Sequence, residues 1–134
     1  MSFFSDNLDK IKIGLEGEEK VRNFFKSKNV KFMQVDIVFY SSTKQRWCVG
    51  EIKTQEKYLS PPFDGHGLPE WQIEARIDFY KATKCIPYLI VNCLSDNCFY
   101  FQSILKLMEG KKFKTKGLKS RVIFPIESFE KILI

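Results

Sequence analysis

The chain has 134 residues, a usual length for one domain, and its 44% hydrophobic and 28% charged content excludes an intrinsically disordered chain. Its formal net charge is +6 and its pI about 9.1, a balance that attracts polyanions such as DNA or RNA. Four cysteines (Cys48, Cys85, Cys93, Cys98) without a Cys-x-x-Cys pair, and a single histidine, exclude a structural zinc site of the usual spacing. Buried reduced thiols are expected instead. No secretory signal opens the chain and no apolar run is long enough to cross a bilayer, so a cytoplasmic protein is expected, in the host cytoplasm if phage-encoded.

No repeat or linker divides the sequence, so one domain over 1–134 is expected. Leu15, Val21, Phe24 and Phe25 give residues 15–28 a helical apolar face. Glu16, Glu18 and Glu19 sit in its first turns, where the helix dipole favours them, and Asn29 is its stop. Residues 31–40 and 46–53 are rich in β-branched and aromatic side chains and predict two strands, joined by a polar hairpin loop at 41–45. Residues 58–69, with Pro61, Pro62, Gly65, Gly67 and Pro69, predict irregular chain. A helix over 69–83 follows, with Trp71, Ala75, Phe79 and Ala82 on one face and Gln72 and Arg76 on the next. Strands over 87–93 and 98–101, a short helix over 103–108, an edge strand over 121–124 and a closing helix over 127–133 complete the chain. The order predicts an α/β fold: a central mixed β-sheet flanked by helices.

The chemistry concentrates in Asp36 and in Glu51-Ile52-Lys53. Side chains alternate along a strand, so Glu51 and Lys53 point one way and Ile52 the other, into apolar packing. An antiparallel return after Ser41 brings Asp36 beside Glu51. Two carboxylates held close repel unless a cation compensates. Magnesium suits such oxygen donors, with the Ile52 carbonyl as a further ligand, and manganese is expected to substitute. Such a metal acidifies a bound water and polarises a phosphate. Lys53 would orient or deprotonate that water, or stabilise charge growing on the phosphate. On its own, Glu-x-Lys is common on surface strands. Here it ends an otherwise hydrophobic strand, after an Asp in the preceding apolar one.

With these residues in place, the chain resembles the PD-(D/E)XK nuclease superfamily, and within it the phage and archaeal Holliday-junction-resolvase-like group. Four elements match in order. Gly14-Leu15-Glu16-Gly17-Glu18-Glu19 resembles the Gly-rich opening whose Glu helps organise the metal site, with Glu18 the choice and Glu19 second. Asp36, preceded by Val35 where the family name has Pro, resembles the first acidic ligand, and Glu51-Ile52-Lys53 resembles (D/E)XK. Trp71-Gln72, followed by Ile86-Pro87-Tyr88-Leu89-Ile90-Val91, resembles the motif in which a helix-borne Gln lies near the catalytic Lys. The resemblance spans about residues 14–101 and implies a restriction-endonuclease-like αβββαβ core. It also implies a magnesium-dependent endonuclease for branched or structured DNA, as in phage recombination. Symmetric resolution of a four-way junction needs two active sites, so a homodimer would follow.

Other residues extend the expected DNA interface. His66, between two glycines, could touch a phosphate, although a lone loop histidine is more often solvated. Arg76, one turn from Gln72, could hold a phosphate, the alternative being a surface ion pair with Glu74 or Asp78, for which the spacings are poor. Lys111, Lys112, Lys114, Lys116 and Lys119 lie in the densest positive segment, which also holds Lys106 and Arg121, and would clamp the DNA backbone from a mobile loop. Trp71, Tyr58 and Phe63 could stack on bases, with core packing the expectation for Trp71. The alternatives are an exonuclease or other DNA-processing nuclease on the same scaffold, a DNA-binding module without catalysis, and a protein whose basic loop meets an acidic partner.

Overall fold

A computed structural model describes residues 3–59, 63–117 and 119–133. Pro61 and Pro62, predicted to break the chain, lie outside them. The backbone divides into two compact units, Met1–Gln34 and Val35–Ile134.

The first unit is built on α1 (Phe3–Ser27), which begins well before the expected position 15 and carries Gly14 and Gly17 inside it. Asn29 is the predicted stop: it takes the left-handed conformation with φ 57°. Its N–H donates to Lys26 O, and that of Val30 to Phe25 O at 2.9 Å, which closes the last turn. Phe25 then meets Phe32 edge-on, with ring centroids 5.7 Å apart.

The second unit holds β1 (Ile37–Ser41), β2 (Arg46–Gln55), β3 (Gly65–Pro69), α2 (Glu70–Thr83), β4 (Ile86–Cys93), β5 (Cys98–Ser103), α3 (Ile104–Glu109), β6 (Phe113–Lys114), β7 (Arg121–Pro125), a 3-10 turn (Ile126–Ser128) and β8 (Glu130–Leu133). One sheet runs β1-β2-β4-β5-β8 and the other β3-β7-β6. The first is mixed, as predicted: β2 and β4 are parallel, while β1 with β2, β4 with β5 and β5 with β8 are antiparallel. Both predicted hairpins form, and each turn closes on a left-handed residue, Gln45 (φ 52°) and Asn97 (φ 51°).

Three expectations change. Residues 65–69 are not irregular but form β3, paired with β7 from Gly65↔Pro125 to Pro69↔Arg121. The glycines that looked like breakers are what this pairing requires: a Cβ on Gly67 would stand 2.0 Å from the Val122 carbonyl oxygen. The predicted edge strand β7 consequently lies in the middle of its sheet, between β3 and β6. Finally, residues 130–133 form strand β8 and not a helix, because the free side of β5 offers ladder partners from Phe101↔Glu130 to Cys98↔Leu133. Phe129 leads into it, anchored among His66 and Tyr100.

The core gathers Leu68, Ile73, Leu89, Val91, Tyr100, Ile104, Leu107, Val122 and Phe124, from β3, α2, β4, β5, α3 and β7. Full burial of a side chain such as Leu89 or Phe124 contributes roughly 1.5–3 kcal/mol. Cys48, Cys93 and Cys98 are buried free thiols and Cys85 is half-buried. No described helix is long and apolar enough to cross a membrane.

Candidate active site

The register β2–β4 sets which residues meet on one face. Glu51 pairs with Leu89 and Lys53 with Val91, so both charged residues share the sheet face that carries Leu89 and Val91 into the core. Glu51 is only 9% exposed. Its carboxylate holds two cations: Lys53 Nζ lies 3.3 Å from Oε1, and Arg76 Nη2 donates to Oε2. Arg76 is itself 6% exposed, and its Nη1 also reaches the Gln72 carbonyl oxygen at 3.4 Å. A buried charge is tolerated only when paired and hydrogen-bonded, and these contacts supply that pairing.

Arg76 is therefore turned inward to Glu51 and not outward to a phosphate. The buried face of α2 is Ile73 and Arg76, with Ile77 packed beside them, at helical spacing. An arginine on an apolar face implies an acid facing it. The face expected to be buried is not: Trp71 is 66% exposed. Ile52 also departs from expectation, being exposed on the opposite side of β2.

Asp36 stands where β1 stops. Its N–H donates to Gly50 O at 3.2 Å, and its Oδ2 accepts from Ile52 N at 2.8 Å. A side-chain oxygen thus takes the backbone donor that a longer β1 would have used, which ends the ladder at Ile37↔Gly50 instead of at position 31. No ladder pair joins Asp36 to Glu51: the pairing ends at Ile37↔Gly50, and Asp36 bonds the backbone of Gly50 and Ile52. Within a strand a residue's N–H and C=O point to the same side, so the Ile52 carbonyl faces the Asp36 edge as well. Asp36 is thereby tied to the backbone on either side of Glu51, whose own carboxylate turns to Lys53 and Arg76.

The other predicted residues lie as follows. Glu18 is exposed on α1 in the first unit, 3.8 Å from Arg22. Gln72 lies in the first turns of α2, and its Oε1 is buried with no hydrogen-bond partner among the described residues. His66 is neither at a phosphate nor solvated: it is fully buried on β3. Its Nδ1 is 2.9 Å from Gln55 Oε1, while the Gln55 amide nitrogen donates to Gly67 O, so the ring donates through Nδ1. Burial pushes the His66 imidazole down to about 4. Lys111, Lys112, Lys114, Lys116 and Lys119 are all exposed. Among the described residues, Lys114 Nζ sits 2.8 Å from Glu70 Oε1, and Lys112 Nζ donates to Met108 O at 2.9 Å. Part of that segment is strand β6 and not open loop.

Among the described residues no group of three or more His, Cys, Asp or Glu side chains is gathered around one point. No family model matches the chain, and neither a curated protein nor a solved structure shows significant similarity to it.

Proposed function

We propose that the chain is a metal-dependent deoxyribonuclease, an endonuclease for branched or structured DNA on a restriction-endonuclease-like PD-(D/E)XK scaffold. The observation that supports this reading is the placing of Asp36, Glu51 and Lys53 along the middle of β2. Asp36 Oδ2 is held at Ile52 N (2.8 Å), one residue from a buried Glu51 whose Oε1 lies 3.3 Å from Lys53 Nζ. The net charge of +6 suits an anionic substrate.

The donor set fits magnesium, which takes carboxylate and carbonyl oxygens and fills its remaining positions with water and substrate oxygens. Asp36, Glu51 and the Ile52 carbonyl would hold it, and the ion would supply an acidified water and a polarised phosphate. Arg76 fixes the Glu51 carboxylate in place from α2, a positioning role. Lys53, part-exposed beside Glu51, is placed to orient the attacking water or to stabilise negative charge on the phosphate. A symmetric cut across a four-way junction requires a homodimer.

The test is a cleavage panel of four-way junction, flap, linear duplex and single-stranded DNA with magnesium or manganese. Cleavage is expected with metal, and its loss is expected in Glu51→Ala and Lys53→Ala. No cleavage by the wild-type chain on any of these substrates would overturn the reading.

A second reading is favoured by one observation: both Glu51 oxygens already carry a cation contact, as in a structural ion pair. On that reading the chain binds DNA without cutting it. Binding is then indifferent to chelator, and no substrate in the panel is cleaved.

A further inference from the structure

Trp71 is 66% exposed in the first turn of α2, an uneconomical place for the largest apolar side chain unless something covers it. It forms one wall of a groove of about 550 Å³ lined by Pro69, Glu70, Glu74, Lys119, Ser120 and Arg121. The opposite wall is fixed to the helix start by backbone and side chain together. Glu70 N donates to Ser120 O at 3.0 Å, Pro69 pairs with Arg121 across β3 and β7, and Ser120 Oγ donates to Glu70 Oε2 at 2.6 Å. Lys114, and after it Ser120, hold the Glu70 carboxyl below its usual range, so its charge is balanced within the wall. Lys119 and Arg121 remain beside an open indole.

We infer that this groove takes one unpaired nucleobase of the DNA substrate, stacked on the Trp71 indole with its flanking phosphates against Lys119 and Arg121. The inference rests on the nuclease reading above and deepens it by naming the state of the strand that is recognised. An exposed aromatic face edged by cations is how single strands are held without sequence readout, because every base has a π-face. A paired base offers no such face. Glu74, three residues along the helix, is an acceptor for an exocyclic amino group at a base edge and not a phosphate partner. The groove and Arg76, the partner of Glu51, are carried by the same helix, Trp71 at its exposed start and Arg76 on its buried face.

The test uses the full chain in chelator, so that binding is measured without cleavage. A fluorescein-labelled 12-nucleotide single strand and a blunt duplex are titrated by anisotropy with wild type, Trp71→Ala and Trp71→Phe. Single-strand affinity should fall at least about 10-fold in Trp71→Ala, largely recover in Trp71→Phe, and duplex affinity should change little. In a Trp47→Phe background Trp71 is the sole tryptophan, and the unlabelled strand should quench its emission. Unchanged emission at saturation, unchanged single-strand affinity in Trp71→Ala, or an equal loss on duplex would overturn the inference. If the strand quenches Trp71 but no substrate is cleaved with magnesium, the groove stands and the nuclease reading falls.

Discussion

The ion pair between Arg76 and Glu51 makes stability and site geometry depend on one guanidinium. Arg76→Met would leave the Glu51 carboxylate buried with Lys53 as its remaining described cation. Breaking a buried pair from one side costs about 3–5 kcal/mol, whereas removing both charges is often close to neutral. Urea unfolding should therefore show a large loss in Arg76→Met and substantial recovery in the Glu51→Gln/Arg76→Met double variant. His66 gives a second residue-level outcome. Burial sets its folded value at about 4 against 6.5 for the free imidazole, so the unfolded chain binds the proton first on acidification. Its stabilising effect is complete above about pH 6.5 and is lost as pH falls toward 4, at about 1.4 kcal/mol per pH unit. Melting temperature followed from pH 7.5 to 4.5 should fall in the wild type and fall less steeply in His66→Gln.

Among the elements, β3 is the most demanding, since Gly65 and Gly67 lie against β7 with no room for a side chain. Gly67→Ala places a methyl 2.0 Å from the Val122 carbonyl oxygen, and the strands must separate to admit it. A loss of about 3 kcal/mol or more is expected in thermal or urea unfolding. The same strand marks how far the sequence was legible. The helices α2 and α3 and the two hairpins were readable because their periodicity and turn residues are local. β3 was not, because glycine and proline usually break structure, and only the approach of β7, far along the chain, makes glycine necessary. Nor was β8, whose partner β5 is distant in sequence. At the candidate site, the shared face of Glu51 and Lys53 was legible from strand alternation. The inward turn of Arg76 was not legible because its partner Glu51 lies 25 residues away on a strand that only the fold brings under α2. His66 was misplaced along with β3.

At the scale of the whole molecule, the net charge of +6 and the exposed Lys111, Lys112 and Lys116 bear on the same question as the site. If these lysines meet phosphates, each one displaces counterions and steepens the salt dependence of DNA binding. A Lys111→Ala/Lys112→Ala/Lys116→Ala variant should then lower the slope of log affinity against log salt, on duplex, by roughly 0.9 for each phosphate it no longer neutralises. Titrations between about 50 and 200 mM salt resolve that change. An unchanged slope would assign these lysines to solvent.

The Ile52 amide has an unusual keeper. Ladder partners within β1 and β2 meet backbone to backbone, but this amide is covered by the Asp36 carboxylate. Its hydrogen-exchange rate therefore tracks the position of that carboxylate, separately from the global opening that frees the rest of β2. Deuterium uptake at one position becomes a solution probe of whether Asp36 rests on the strand or has moved to another partner.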